Sequence, residues 1–125
     1  MATKTILLVD DDSNIRRLLS FLLERTGCKV HTAVDGEDGF RRAKELTPDL
    51  IITDAMMPKK DGFQLCRDLR SDPQFAALKI IMLTARDQAM GSGAPSDFGA
   101  DLCLMKPFNP IEISRIVKEL LQLQH

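Results

Sequence analysis

The segment Leu50-Ile51-Ile52-Thr53-Asp54 is a short, almost wholly apolar run that ends in a carboxylate. Near the N-terminus, Thr5–Val9 has the same apolar character and also leads into an aspartate. Strands that are covered by helices on both faces have this composition, because neither face needs polar residues. The two runs therefore predict two central strands of a parallel β-sheet.

Further strand-like runs alternate with segments of helical spacing along the chain. The predicted strands are Thr5–Val9, Lys29–Ala33, Leu50–Thr53, Lys79–Leu83 and Leu102–Met105. Apolar residues spaced three and four apart indicate helices between them. These helices are predicted between Ser13, as N-cap, and Gly27, and over Glu37–Leu46, Gly62–Arg70 and Pro110–Leu123.

The segment Gln88–Phe98 differs from the other helical segments. It contains Gly91, Gly93 and Pro95, which are poor residues for a helix interior, so we expect a short, broken or mobile fourth helix. Strands that alternate with helices in this order indicate an α/β fold. We therefore predict a doubly wound, five-stranded parallel sheet with helices on both faces and a weak fourth helix.

Composition restricts the class of protein. The chain has 125 residues, the size of one domain, so a single domain is predicted over 1–125. The formal net charge is −1, so direct binding to nucleic acid is not expected. No apolar run approaches the roughly 18 residues of a membrane span, and the first residues lack signal-peptide architecture. We expect a cytoplasmic protein without a membrane partner.

Polar side chains follow four of the five predicted strands. Ligands of open parallel sheets bind beyond the carboxyl ends of the strands, so these side chains should converge on one edge. They are Asp10 and Asp11 after the first strand, Asp54 after the third, Thr84, which precedes Ala85, after the fourth, and Lys106 after the fifth.

The predicted cluster favours phosphoryl chemistry. Neighbouring carboxylates cannot all ionise without compensation, which Mg²⁺ with its oxygen ligands supplies. A carboxylate can also be a nucleophile that forms an aspartyl phosphate, a transfer that mainly needs positioning and neutralised charge. Asp54, alone after a central strand, is the predicted nucleophile, and Asp10 and Asp11 are the predicted metal ligands.

The sequence excludes two other kinds of binding site, an EF-hand calcium loop and a phosphate-binding P-loop, because the residues that each requires are missing. An EF-hand loop that began at Asp10 would need glycine where Ile15 stands and glutamate where Phe21 stands. The segment Gly91-Ser92-Gly93 lacks the lysine of a phosphate-binding P-loop.

Six motifs make the chain similar to bacterial response-regulator receiver domains over essentially its full length. The motifs are Ile6-Leu7-Leu8-Val9-Asp10-Asp11, Pro48-Asp49-Leu50-Ile51-Ile52-Thr53-Asp54, Met57-Pro58-Lys59-Lys60-Asp61-Gly62-Phe63, Leu83-Thr84-Ala85, Gly99-Ala100-Asp101 and Lys106-Pro107-Phe108. The resemblance implies a flavodoxin-like sheet of strand order 2-1-3-4-5. It also implies a switch in a two-component phosphorelay that controls a downstream output domain or partner protein.

The resemblance also implies roles for single residues. Asp54 would accept a phosphoryl group from a phosphohistidine of a histidine kinase or phosphotransfer protein. Mg²⁺ would be held by Asp11, Asp54 and the backbone carbonyl of Met56, with Asp10 acting partly through water. Lys106 would pair with the phosphate, Thr84 would swing in to bond it, and Ala85 would be a cofactor-binding residue. A cis peptide would precede Pro107. Such a domain is expected to have only modest self-phosphorylating and dephosphorylating activity and no turnover chemistry.

One position departs from the family pattern. Cys103 stands three residues before Lys106, where receivers usually carry an aromatic residue. We expect the relay from Thr84 to this position to be weak or to use backbone shifts. This departure and the interrupted fourth helix leave a second function open, a receiver-like interaction module that works without phosphorylation. A stand-alone domain and a piece of a longer protein also both remain open.

Overall fold

The computed structural model describes residues 3–84 and 99–123 of the chain. A five-stranded parallel sheet lies at its centre, in the order β2-β1-β3-β4-β5. The strands are β1 (Thr5–Val9), β2 (Lys29–Ala33), β3 (Leu50–Asp54), β4 (Lys79–Thr84) and β5 (Leu102–Met105). The described helices are α1 (Ser13–Glu24), α2 (Gly36–Leu46), α3 (Gly62–Arg70), a 3₁₀ turn (Pro73–Phe75) and the C-terminal helix (Pro110–Leu120). The predicted doubly wound fold and its strand order are confirmed.

Alternate residues of the same strands build two separate cores, one on each face of the sheet. Leu7 and Val9 of β1 join the core beneath α2 and α3. Ile6 and Leu8 join the core beneath α1 and the C-terminal helix. All four side chains are fully buried, and each such burial contributes roughly 1.5–3 kcal/mol. Burial on both faces is the reason that β1 and β3 have almost wholly apolar sequences.

Two strands are one residue longer than predicted. Asp54 pairs with Leu83, and Thr84 pairs with Met105, so these polar residues belong to β3 and β4. The apolar pattern stops one residue before each strand does, because the last residue of each faces the edge where polar side chains meet. The predicted fourth helix, Gln88–Phe98, lies outside the described residues.

Helix boundaries differ from the prediction at four ends. Helix α2 begins at Gly36, one residue before the predicted Glu37. The N-cap of α1 is Asp12, and Ser13 is already helical, because an oxygen of Asp12 accepts a hydrogen bond from the Asn14 amide at 2.8 Å. Helix α1 ends at Glu24, before the turn in which Gly27 takes a φ of 91°. The C-terminal helix ends at Leu120, short of the predicted residue 123. Among the described residues, no helix has the length and apolar character needed to span a membrane.

Candidate functional site

The carboxyl ends of β1, β3, β4 and β5 bring the predicted residues to one edge of the sheet. Asp10 directly follows β1, Asp54 ends β3, Thr84 ends β4 and Lys106 directly follows β5. Backbone hydrogen bonds hold these ends in register, since the Ala55 amide donates to the Leu83 carbonyl at 2.9 Å and the Lys106 amide donates to the Thr84 carbonyl at 2.7 Å.

Three carboxylates form an acidic cluster at this edge, consisting of Asp10, Asp11 and Asp54. One oxygen of each lies within 4.8 Å of the others. Asp10 and Asp54 are buried, and Asp11 is exposed. Mg²⁺ in proteins is bound by carboxylate oxygens, commonly from one or two residues, together with waters and phosphate oxygens, and this cluster offers such carboxylates.

The carboxylate of Asp10 shows a specific need for a cation. Its Oδ1 accepts a hydrogen bond from the Asp12 amide at 2.9 Å. Its Oδ2 is buried and has no hydrogen-bond partner in the part of the chain that the structure describes. Burial, followed by the nearby Asp54 charge, raises the pKa of Asp10 to about 6. A buried carboxylate oxygen without a donor is costly, so these residues fit a bound divalent cation.

Replacing Asp10 by asparagine is expected to stabilise the metal-free protein at pH 7 to 8 by about 3 kcal/mol, since the pKa of Asp10 is raised from 3.8 to about 6 and each unit costs roughly 1.4 kcal/mol. The folded state binds this proton more tightly than the unfolded state does, so the contribution of Asp10 to stability is present below pH 4 and lost as pH rises towards 6. The advantage of the variant should therefore appear over that range. Urea unfolding in the presence of EDTA at several pH values measures it.

The exposed Asp11→Asn variant is the matched control for this measurement. It removes one carboxylate of the same cluster from an exposed position and should leave the metal-free stability nearly unchanged. Equal stability of the Asp10→Asn variant and the unmodified protein at pH 8 would contradict the proposed cost of burying this charge.

Lys106 supplies the positive charge of the site. Its Nζ donates to Asp54 Oδ1 at 2.9 Å and lies 3.9 Å from Asp10 Oδ2. Burial alone would lower the pKa of Lys106, but the hydrogen bond and charge of Asp54, with the charge of Asp10, raise it above its usual value. The ammonium is therefore protonated at neutral pH. The peptide between Lys106 and Pro107 is cis, as expected.

Asp54 is held by its own strand end and by the start of α3. Its Oδ1 also accepts from the Ala55 amide at 2.9 Å. The Gly62 amide donates to the Ala55 carbonyl at 2.7 Å. A Cβ at Gly62 would meet the Asp54 carbonyl oxygen at 2.2 Å, so only glycine allows this approach. The Met-Pro-Lys-Lys-Asp-Gly motif contains this glycine, but its packing role becomes evident only in three dimensions.

Thr84 is fully buried at the end of β4. Its hydroxyl lies 3.9 Å from the Sγ of Cys103, which is placed to donate to it. Of the other predicted residues, Met56 lies in the loop after β3 with a half-exposed side chain. Ala85 lies outside the described residues.

One residue near the acidic cluster was not anticipated from the sequence. Nη1 of Arg16 donates to the backbone carbonyl of Asp10 at 2.7 Å and so fixes the loop that carries the cluster. Arg16 lies in the first turn of α1, close in sequence to the end of β1, and only this closeness could have indicated the contact beforehand. Arginine is common on exposed helix faces, so that signal alone is weak.

The sequence of this chain is similar to those of known proteins. The family model described as response regulator receiver domain matches residues 6–118. The chain is 43% identical to the alkaline phosphatase synthesis transcriptional regulatory protein PhoP of Bacillus subtilis, covering 95% of this chain and 49% of that protein. It is 44% identical to the DNA-binding dual master transcriptional regulator RpaA of Synechocystis, covering 94% of this chain and 48% of that protein. The chain thus spans about half the length of these curated relatives.

A solved structure shows the same fold over nearly the whole of both chains. The chemotaxis response regulator CheY4 of Vibrio cholerae superposes with a TM-score of 0.87 at 31% identity, covering 95% of this chain and 99% of that one.

Proposed function

Because the chain belongs to the response regulator receiver domain family, a family of phosphorylatable signalling switches, we propose that Asp54 is its phosphate acceptor and that Mg²⁺ is its cofactor. The observation that carries the assignment is that Asp54 both bonds the ammonium of Lys106 and belongs to an acidic cluster that can hold a divalent cation. Lys106 Nζ lies 2.9 Å from Asp54 Oδ1, and one carboxylate oxygen each of Asp10, Asp11 and Asp54 lies within 4.8 Å of the others.

The transfer exchanges one bond to phosphorus for another. A carboxylate oxygen of Asp54 forms an O–P bond while the P–N bond of a donor phosphohistidine breaks, and the electron pair of that bond stays on the departing imidazole nitrogen. Both described donors to Asp54 fall on Oδ1, the Ala55 amide and the Lys106 ammonium, so Oδ2 is the proposed attacking oxygen. Lys106 then neutralises charge on the phosphoryl oxygens.

Asp10, Asp11, Asp54 and the backbone carbonyl of Met56 are the proposed ligands of Mg²⁺. Bound there, the ion would supply positive charge for the oxygens of the transferring phosphoryl group, in addition to that of Lys106. Oδ2 of Asp10 supports this assignment, because it is buried without a hydrogen-bond donor among the described residues and a bound cation would relieve the cost of burying it.

The switch itself is assigned to Thr84. The phosphoryl group adds about 1.5–2 negative charges and strong acceptor oxygens beside the end of β4. If the Thr84 hydroxyl bonds one of them in the active state alone, phosphorylation shifts the population towards that state. Asp10, Asp11, Asp54, Thr84 and Lys106 are all in place at one sheet edge, and no observation on the described residues favours an interaction module that works without phosphorylation.

The proposed function also determines which partners and which cellular location we propose. The proposed donor is a histidine kinase or phosphotransfer protein, and the proposed recipient of the signal is an output domain or a partner protein. The domain is a signalling switch and not a classical enzyme. Its own chemistry is proposed to be limited to slow self-phosphorylation from small phosphodonors and slow dephosphorylation. A single domain over 1–125, a cytoplasmic setting and no direct binding to nucleic acid complete the proposal.

The proposed function is tested by incubating the protein with acetyl phosphate, with Mg²⁺ or with EDTA, and recording the intact mass. One added phosphoryl group in Mg²⁺ and none in EDTA is the expected result, because the buried carboxylates need the cation before a phosphoryl group can approach. Equal phosphorylation in EDTA would contradict the metal's role. No phosphorylation in either condition would contradict the switch.

A further inference from the structure

The β3–α3 loop (55–61) is packed against the first turn of α2. Gly36, the first residue of α2, is buried beneath the backbone of Lys60. A Cβ added at Gly36 would lie 2.0 Å from the Lys60 carbonyl oxygen and 2.7 Å from the Lys60 Cβ. Gly36 does not have the positive φ of Gly27 and Gly99. This position therefore needs glycine for space and not for its backbone conformation.

The side chain of Lys60 holds the same loop from both helices. Its ammonium is ion-paired with Asp68 of α3 and lies 5.0 Å from the centre of the Phe40 ring of α2. The loop is thus held by a backbone contact with Gly36 and by a side chain that reaches across to α2 and α3.

The α2 side of the backbone contact is the more rigid one. Asp35 caps α2, because its Oδ1 accepts from the Asp38 amide and its carbonyl accepts from the Gly39 amide, each at 2.8 Å. On the loop side, the Lys60 amide donates to the Pro58 carbonyl at 2.9 Å, a bond within the loop itself. A side chain at the start of α2 would therefore displace the loop and not the helix.

The position of this loop matters because the loop continues directly from Asp54 and contains Met56, whose backbone carbonyl is a proposed ligand of Mg²⁺. The Gly62 amide ties the two ends of the loop together by donating to the Ala55 carbonyl at 2.7 Å. A displacement at Lys60 is therefore passed along a short, closed loop. Mg²⁺ demands nearly ideal octahedral geometry, so a displaced ligand weakens its binding.

We propose that Gly36 is a positioning residue for the Mg²⁺ site, because it lets the Lys60 backbone approach α2 and so holds the loop, and with it the Met56 carbonyl, in place. The proposal rests on the function proposed above, in which the acidic cluster and this carbonyl bind the ion. It extends the site to α2, which contributes none of the proposed ligands.

The affinity for Mg²⁺ tests this role, measured from amide NMR shifts during a titration of the folded protein at high salt, which screens changes in surface charge. Gly36→Ala should weaken the affinity about tenfold or more, the usual effect of losing a group that positions a metal ligand. Urea unfolding in EDTA records the metal-free stability separately.

Gly39→Ala is the matched control, because it adds the same methyl group to a buried glycine of the same helix. Its Cβ would first meet side-chain atoms of Val9 and Leu65, at 3.1 and 3.3 Å, and these can shift by a few tenths of an ångström. The affinity for Mg²⁺ should therefore stay the same, whether or not the stability changes.

A second pair of variants decides the question if Gly36→Ala does not fold. Lys60→Ala frees the loop and should weaken the affinity about two- to fivefold, although losing a positive charge would by itself strengthen Mg²⁺ binding. Lys44→Ala is its control. Lys44 also pairs with an aspartate, Asp72, at 2.7 Å and lies 5.7 Å from the same Phe40 ring, but it belongs to α2 and not to the loop. Its affinity should be unchanged.

An affinity of Gly36→Ala equal to that of the unmodified protein would overturn the positioning role while leaving the proposed function intact. An equal loss in Gly39→Ala would also overturn it, and so would equal affinities of Lys60→Ala and Lys44→Ala. If the unmodified protein does not bind Mg²⁺ at all, the proposed function fails and the inference fails with it.

Discussion

The Asp54→Asn variant should gain no mass from acetyl phosphate and Mg²⁺ under conditions that phosphorylate the unmodified protein fully. An amide lacks the negative charge that makes a carboxylate oxygen a nucleophile, so the O–P bond cannot form. The amide oxygen can still accept from the Ala55 amide and from Lys106, which both bond Oδ1, so the strand end should keep its structure. Intact mass, with circular dichroism to verify folding, gives the result.

Asp61→Asn is the control for this variant. Asp61 is the N-cap of α3, seven residues along the chain, and it accepts from the Gln64 amide at 2.8 Å. Asparagine caps a helix about as well as aspartate, so this variant should fold and be phosphorylated normally. A full phosphoryl mass on Asp54→Asn would show that another side chain is the acceptor.

The Lys106→Ala variant should be phosphorylated about 10²- to 10³-fold more slowly, the usual cost of losing one charged donor at a transferring group. Its Nζ is the donor that reaches both Asp54, at 2.9 Å, and Asp10, at 3.9 Å, so no other described ammonium can take its place at this edge. The time course of mass gain with acetyl phosphate measures the rate.

The same variant should bind Mg²⁺ at least as tightly as the unmodified protein, because removing a positive charge leaves the acidic cluster more negative. This second measurement separates a lost phosphate contact from a damaged site. Lys59→Ala is the control, since the Lys59 side chain is 63% exposed and its one ion pair within the described residues is with Asp35, at 3.9 Å. Equal rates for Lys106→Ala and Lys59→Ala would remove Lys106 from the transfer.

Much of the fold could be read along the chain. The strand positions followed from composition, because strands covered on both faces must be apolar and those runs are short and sharply bounded. Helix ends were less accurate, as the Asp12 cap of α1 illustrates. Both Asp12 and Ser13 are good capping residues, and the backbone path out of β1 determines which oxygen reaches the Asn14 amide.

The candidate site was predictable in its membership but not in its contacts. Asp10, Asp54, Thr84 and Lys106 were identified by their places after strands, a local property of the chain. Arg16 was missed, because its contact with the Asp10 carbonyl depends on how α1 packs against the strand end. The need for glycine at position 62 likewise depends on an approach to Asp54 that no local pattern records.

The order of residues along the chain was enough to establish the parallel α/β architecture and the set of polar groups at one edge of its sheet. Folding established the two donors on Asp54 Oδ1, the thiol beside Thr84 and the burial of Asp10 Oδ2 without a hydrogen-bond donor in the described part of the chain. The physical reason is the distance along the chain over which each kind of interaction acts. Strand and helix preferences act between neighbours in the sequence, whereas burial and hydrogen-bond partners depend on which strand lies beside which, and in what register.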